Sequence, residues 1–295
     1  MSLPSSVAQP PHFFTVDVED YFQVGAFEHL ISRDTWDTQP CRVERNVDVL
    51  LGLLAEAGAT GTFFTLGWIA QRYPKLIRRI ALEGHEVASH GFTHRRVNEL
   101  SVSGFRREIR DSKAVLEDTS GTEVIGFRAP NFSILPGCEW AFDVLVEEGY
   151  RYDSSRFPIR RPGYGSPNAP QYAHAIRCNA GELIELPLTT YNAFGMRIPA
   201  AGGAYLRHFP YALVRQAFAE KTRQRESGVF YIHPWELDPE QPRVRAPFMT
   251  RMRHYRGLKQ TAPRIARLLR EFQFSAIEPW LSETGRRTAS LPLYA

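Results

Sequence analysis

Apolar residues fall in short blocks along this chain, and between the blocks they recur at helical spacing. Residues 12–18, His-Phe-Phe-Thr-Val-Asp-Val, read as a buried strand. Residues 61–66, 86–89, 124–127, 150–152, 183–188 and 229–232 carry the same signature, and residues 274–277 suggest a last strand. Val47, Leu50, Leu51 and Leu54 form a stripe that predicts a helix over residues 46–57, with Asn46 as its N-cap and Gly58 as its stop. Pro74 opens a second predicted helix, ended by Gly84. Ser101 caps a third, whose apolar face is Phe105, Ile109, Val115 and Leu116. Further helices are predicted over residues 140–148, 210–220 and 262–272. Strand and helix thus alternate about seven times with short connections, the pattern of a parallel sheet with crossover helices, open or closed into a barrel.

Some stretches break this alternation. Residues 157–171 are rich in Pro, Gly and Arg, which rules out a core element and leaves a long loop over a site or a solvated linker. Gly202-Gly203-Ala204-Tyr205 marks a turn with close backbone approach. Residues 1–11 are polar and Pro/Ser-rich, without the basic start and apolar centre of a secretory signal, and read as a disordered lead-in. Residues 12–285 read as a single domain and residues 286–295 as a tail. No apolar run is long enough for a transmembrane segment. The expected location is cytoplasmic, with peripheral membrane association left open.

Composition narrows the classes only slightly. At 295 residues, 43% hydrophobic and 23% charged, the chain can bury a sizeable core. Lys and Arg number 36 against 32 Asp and Glu, and a net charge of +4 is too small to imply a nucleic-acid partner. Cys41, Cys138 and Cys178 are far apart and form no Cys-x-x-Cys, which argues against a disulfide framework or a thiolate metal site. Arg251, Arg253, His254, Arg256 and Lys259 form a basic cluster, read as a solvated arm or as a contact for an anionic glycan or a carrier-lipid phosphate. Arg160 and Arg161 carry the same ambiguity.

The reactive side chains Asp17, His90, Arg128, Asp153 and His233 all fall just after predicted strands. Barrels of this class place catalytic residues at the carboxyl ends of their strands. His90 and His94 have three residues between them, and a helical turn after Ser89 would set both imidazoles on one face. Two converging imidazoles suit a divalent cation such as zinc. Asp17, Glu19 and Asp20 close a buried strand, where carboxylates cost desolvation energy unless something pairs with them. Two histidines and one carboxylate would leave a position for water, whose pKa such an ion brings from about 15.7 to about 7. A second carboxylate could take the proton, and Arg128 could hold that carboxylate through a bidentate contact. His233 could protonate a leaving amine. These parts suit hydrolysis of an amide or ester. Phosphoryl transfer is disfavoured, because neither Gly-x-x-x-x-Gly-Lys-Ser/Thr nor Gly-x-Gly-x-x-Gly is present.

Taken in order, Thr15-Val16-Asp17, Ser89-His90-Gly91-Phe92-Thr93-His94, Arg128-Ala129-Pro130 and His233-Pro234 resemble the motifs of the NodB-homology polysaccharide deacetylases, carbohydrate esterase family four. The string from Thr15 to Val24 and His233-Pro234-Trp235-Glu236 are similar to the subgroup encoded at exosortase/PEP-CTERM exopolysaccharide loci. The resemblance covers roughly residues 13–277. It implies an α/β fold, a distorted (β/α) barrel often of seven strands, a divalent metal that is usually zinc, and removal of acetyl groups from an N-acetylated glycan. By position it makes Asp17 the base, His90 and His94 metal ligands, His233 the acid, and Arg128 the residue that orients Asp17. The backbone N–H near Asn131 would help stabilise the oxyanion.

The chain departs from the family pattern in places. Val18 stands where the second of two adjacent aspartates is usual, so the third ligand is Asp20 or Glu19. Asp20 is favoured as the shorter carboxylate beyond the strand, and Glu19 competes because it shares the side of Asp17 if the strand continues. Asn131 replaces the usual aromatic after Arg-x-Pro, altering a substrate wall that includes Pro130. Asp153-Ser154-Ser155 matches the fourth motif loosely and offers Asp153 as partner of His233. Tyr205 and Trp235 could stack on a sugar ring or serve as core aromatics. Two other functions are kept in view. One is a same-fold amidohydrolase acting on a small cyclic amide or ureide, allantoinase-like. The other is an inactive glycan-binding protein, against which the intact Asp17, His90, His94 and His233 speak.

Overall fold

The structure, a computed structural model, describes residues 9–284 and 291–294 except 162 and 194. Residues 1–8 of the lead-in expected at residues 1–11, and residues 285–290 and 295, lie outside the described residues. The strands are β1 (His12–Val18), β2 (Thr62–Thr65), β3 (Glu86–Ser89), β4 (Gly126–Phe127), β5 (Tyr152–Asp153), β6 (His174–Cys178), β7 (Gly181–Glu185), β8 (Thr190–Ala193), β9 (Met196–Pro199), β10 (Val229–Ile232), β11 (Phe274–Ser275) and β12 (Leu293–Tyr294). The helices are α1 (Val43–Ala57), α2 (Gly67–Arg72), α3 (Pro74–Leu82), α4 (Val102–Ser120), α5 (Trp140–Glu147), α6 (Gly203–His208), α7 (Tyr211–Gln224), α8 (Phe248–Tyr255), α9 (Thr261–Glu271) and α10 (Ile277–Thr284).

The main sheet runs β10-β1-β2-β3-β4-β5-β7-β6-β12, with β11 also paired to β1. From β10 to β7 neighbouring strands are parallel, whereas β6 folds back on β7 as an antiparallel hairpin. Side-chain alternation along β1 sorts the molecule into two apolar layers. Phe14, Val16 and Val18 pack outward with Val47, Leu50, Leu51 and Leu54 of α1. Phe13 points the other way, into an inner cluster with Phe64, Ala88, Ile125, Tyr152, Val229 and Tyr231. Thr15 and Asp17 share the parity of Phe13 and so face the interior, which is how a charged pair comes to lie inside the curved sheet. Strands β7 and β10 form no ladder. The Thr189 N–H donates to the Val229 carbonyl at 3.3 Å, and the Tyr231 N–H donates to the Ala201 carbonyl at 2.8 Å, so the chain after β7 spans the gap. The result is an α/β fold in the form of a distorted (β/α) barrel.

Several boundaries differ from those read in the pattern. Helix α1 begins at Val43 with Arg42 as its N-cap, not at Asn46, because the Asp20 carboxylate already accepts the Arg42 N–H. Asn46 is buried within the first turns. The described residues of 157–171 hold no strand or helix, but Phe157, Ile159 and Ala169 are buried. Phe157 packs edge-on against Tyr205 and Tyr231, so this loop does contribute to the inner core.

Candidate active site

The segment after β3 does not turn helical. Gly91 at φ 76° and His94 at φ 54° instead fold it into an irregular loop. Arg33 braces that loop, donating through Nε to the Thr93 carbonyl at 2.8 Å and through Nη2 to the His94 carbonyl at 2.9 Å. The Glu108 carboxylate accepts the Phe92 and Thr93 N–H groups from the other side. This bracing holds the left-handed backbone at His94, which a β-carbon normally disfavours. The two imidazoles end with ring centroids 5.3 Å apart.

Glu19, His90 and His94 each aim one ligand atom at a common point, with the three atoms within 4.8 Å of one another. Glu19 is the carboxylate that meets the histidines. Asp20, the favoured candidate from the sequence, is turned away: its carboxylate accepts the Tyr21 N–H at 2.8 Å, the Arg42 N–H and the Cys41 thiol at 3.0 Å. Beyond Val18 the Glu19 N–H donates to the Asp17 carbonyl at 3.0 Å, and this turn leaves Glu19 inside and Asp20 outside. Glu19 Oε2 lies 2.9 Å from His94 Nε2 but without hydrogen-bond geometry, and it remains a buried oxygen with no hydrogen bond. A buried oxygen without a hydrogen bond is costly, and a cation set between Glu19 and the imidazoles would satisfy it. His90 Nδ1 donates to the Arg128 carbonyl at 2.8 Å, which leaves Nε2 with its lone pair free for a ligand. Burial pushes His90 down to about 4, keeping that imidazole neutral. For Glu19, burial raises the pKa, but the facing imidazoles of His94 and His233 outweigh it and bring it to about 2. A buried, ionised carboxylate beside a neutral imidazole with an available lone pair fits a divalent cation.

Arg128 is fully buried and anchors the second group. Its Nη1 donates to Asp17 Oδ1 and to Thr15 Oγ1, both at 2.7 Å, its Nε to the Ser154 carbonyl at 3.0 Å, and its Nη2 to Ser154 Oγ at 2.8 Å. The contact with Asp17 therefore uses a single nitrogen rather than the expected bidentate fork, because the fork is divided between β1 and the segment after β5. The guanidinium also lies 4.1 Å over the Phe64 ring.

His233 follows β10, with Nε2 3.8 Å from Asp17 Oδ2 and 3.4 Å from Glu19 Oε1. Its other nitrogen, Nδ1, is 2.8 Å from Glu236 Oε1. Arg207 of α6 donates from Nε to Glu236 Oε2 at 2.7 Å, and both side chains are 1% exposed. Burial disfavours charge on His233, but Glu19, Glu236 and Asp17 outweigh it and raise the group to about 9. Burial likewise opposes charge on Glu236, yet Arg207 and His233 hold it at about 2. Asp153 is not the partner of His233. It is buried beside Glu185 on the adjacent strand and accepts from Ser155 Oγ at 2.6 Å. Burial, aided by the Asp153 carboxyl, raises Glu185 well above the usual carboxylate range, and burial raises Asp153 too.

The remaining candidates take other places. Trp235 is buried, stacked on His233 on one face and on His254 on the other, and its Nε1 lies 3.4 Å from Glu19 Oε1. It backs the site instead of offering a face to a sugar. Tyr205 is buried among Phe157 and Phe209, with its hydroxyl 3.1 Å from that of Tyr164, and is likewise a packing residue. Pro130 is buried at van der Waals distance from the position a β-carbon on Gly91 would take, so it shapes the histidine loop and is no exposed wall. Asn131, at φ 54°, presses its side chain over Gly25, and its Nδ2 is a buried donor without a hydrogen-bond partner. Gly202 and Gly203 do mark close approach: a β-carbon on Gly202 would collide with the Tyr231 ring, and one on Gly203 with Glu236. Glu19, Asp17, His90 and His94 are at most 4% exposed, whereas the His233 side chain is 21% exposed, so His233 stands at the solvent side of the group.

The fold and site together define an α/β-barrel protein with a candidate cation centre flanked by an Arg-held aspartate and a Glu-held histidine. The family model described as polysaccharide deacetylase matches residues 34–140, and one described as a domain of unknown function, DUF3473, matches residues 154–282. A chitooligosaccharide deacetylase of Rhizobium leguminosarum bv. trifolii is 37% identical over 67 residues, 23% of this chain and 31% of that protein. A chitooligosaccharide deacetylase of Sinorhizobium fredii is 38% identical over 101 residues, 33% of this chain and 43% of that protein. A crystal structure of a Mycobacterium smegmatis protein described as a polysaccharide deacetylase superposes with a TM-score of 0.66 at 21% identity, covering 100% of this chain and 96% of that one. That likeness is one of fold. The likeness to polysaccharide deacetylases thus rests on residues 34–140 of the 295. The chain spans less than half the length of these two curated relatives.

Proposed function

We propose that the protein hydrolyses the N-acetyl amide of an amino sugar within an oligo- or polysaccharide, in exopolysaccharide biosynthesis, with a divalent cation, zinc first. The observation that carries this reading is the buried trio Glu19, His90 and His94 set against Asp17 and His233. Glu19, His90 and His94 would hold the cation, which supplies Lewis acidity toward the acetyl carbonyl and a more acidic water. Asp17 Oδ2 faces the interior while its Oδ1 is held by Arg128, so Oδ2 is the oxygen placed to receive the water proton. Glu236 holds the His233 ring at Nδ1, and Nε2 is the atom placed to give a proton to the departing sugar nitrogen.

Acetate release from N-acetylated chito-oligosaccharides, measured with and without a chelator, tests this. Release that stops on chelation and returns with zinc is expected. Asp17→Asn should retain the metal and lose turnover by roughly 10²–10⁴-fold, the usual contribution of a positioned base. Acetate release indifferent to chelation, or no release from any N-acetylated glycan by metal-loaded protein, would overturn the reading.

A further inference from the structure

Residues 241–270 contain nine Arg or Lys and no Asp or Glu. Within this run, Phe248 is 73% exposed, Met249 52% and Met252 37%, although all three are large apolar side chains in a well-formed helix, α8. At about 100° per residue, Phe248, Met252 and Met249 fall on one face of α8. His254, on the opposite side, is buried against Trp235 and Phe27. The helix is therefore fixed to the body by its histidine and turns its apolar face outward. Arg245, Arg251, Arg253, Arg256 and Lys259 are exposed around that face, and none is in an ion pair among the described residues. Arg243 is exposed beside them, its guanidinium 4.2 Å over the Tyr255 ring.

We propose that α8 and its flanking arginines dock the protein on an anionic lipid bilayer surface. An apolar face rimmed by cations is the chemistry of a helix lying in the plane of the headgroups, with aromatic and methionine side chains in the acyl boundary and guanidinium groups on lipid phosphates. Among the described residues no helix is long and apolar enough to cross a membrane, so the contact is peripheral. The concentrated positive charge selects an anionic surface. The exposed Phe and Met side chains favour lipid over nucleic acid or an anionic glycan, neither of which offers a medium for them. The docking helix is also joined to the candidate active site by one stacked column, with His254 at 4.1 Å from Trp235 and Trp235 at 5.4 Å from His233. Binding at α8 would hold that site close to the membrane, where a lipid-linked or membrane-bound glycan would be met.

The full-length protein should be floated with vesicles of phosphatidylcholine alone and of equimolar phosphatidylcholine and phosphatidylglycerol, over a range of salt. Binding to the anionic vesicles only, weakening with salt, is expected. The double variant Arg251→Gln/Arg253→Gln should bind the anionic vesicles about thirtyfold less tightly. The triple variant Phe248→Ser/Met249→Ser/Met252→Ser, whose substitutions are all exposed, should lose at least tenfold while keeping its circular dichroism and thermal midpoint. Absence of flotation at low salt would overturn the proposal. So would equal binding by the triple variant, which would reduce the contact to charge alone, or self-association in gel filtration that the triple variant abolishes, which would make the face an interface between copies. None of these readouts depends on deacetylase activity.

Discussion

His233 Nδ1 lies 2.8 Å from Glu236 Oε1, three residues ahead on the same turn of chain. The second oxygen of Glu236 is occupied by Arg207, so the carboxylate cannot rotate away. Glu236→Ala should therefore lower kcat by roughly 10–100-fold with little change in KM, the scale seen when a carboxylate orienting a working histidine is removed. The same change leaves the Arg207 guanidinium buried without its counter-charge, at a cost of about 3–5 kcal/mol in stability. Glu236→Gln keeps an acceptor for Nδ1 and should fall between. Steady-state kinetics of acetate release and urea denaturation separate the two effects.

Metal content distinguishes Glu19 from Asp20. Glu19→Gln should reduce bound metal at least tenfold, because it removes one of the three converging ligand atoms. Asp20→Asn should keep its metal but melt lower, since it weakens the acceptor that caps α1 at Arg42. Elemental analysis after dialysis against limiting chelator checks both, and full metal occupancy in Glu19→Gln would sink the ligand assignment.

Gly203 touches neither the cation trio nor Asp17, yet a β-carbon there would collide with the Glu236 carboxylate and with Ile232. Gly203→Ala should thus mimic part of the Glu236→Ala loss, with kcat down at least severalfold and the metal retained. A variant with unchanged kcat would mean that Glu236 relaxes without disturbing His233.

Acid sensitivity of the fold should be traceable to His12. Burial, with Lys221 nearby, brings its pKa from the ordinary 6.5 to about 4. The Gly228 N–H donates to its Nδ1 at 3.0 Å, so the ring proton sits on Nε2 toward Thr222 Oγ1, and a second proton would confront a donor. Because the folded value lies below the unfolded one, the unfolded chain takes up the proton first on acidification. Stability is then complete above about pH 6.5 and declines as pH falls toward about 4. Urea midpoints at about pH 7 and about pH 5 should show this decline. His12→Asn, which can keep the acceptor for Gly228, should be less stable near neutrality and decline less steeply.

Much of this arrangement was legible in the chain because strand ends advertise themselves. A buried apolar run that stops at a charged or imidazole side chain located Asp17, His90, Arg128 and His233 at one end of the sheet. The glycine pair at 202 and 203 correctly signalled tight packing. What the pattern could not supply were relations set by three-dimensional neighbours. Asp20 is short enough to aim inward, but the chain turns after β1 and a helix N-terminus claims its oxygens. The spacing of His90 and His94 suits a helical turn, whereas two left-handed residues achieve the same convergence. Asp153 follows a strand like the others, yet its neighbour proved to be another acid, Glu185, which no local signal announces. Trp235 and Tyr205 were ambiguous by type, and only their buried surroundings made them supports. The hairpins β6–β7 and β8–β9 were incompletely read because their strands are short and partly solvent-facing, so alternation had little length in which to show.

A histidine and its anchor drawn from one short turn are inherited and displaced together. Loops around the barrel mouth can lengthen, and strands can drift in register, without detuning His233, because its orienting carboxylate travels with it.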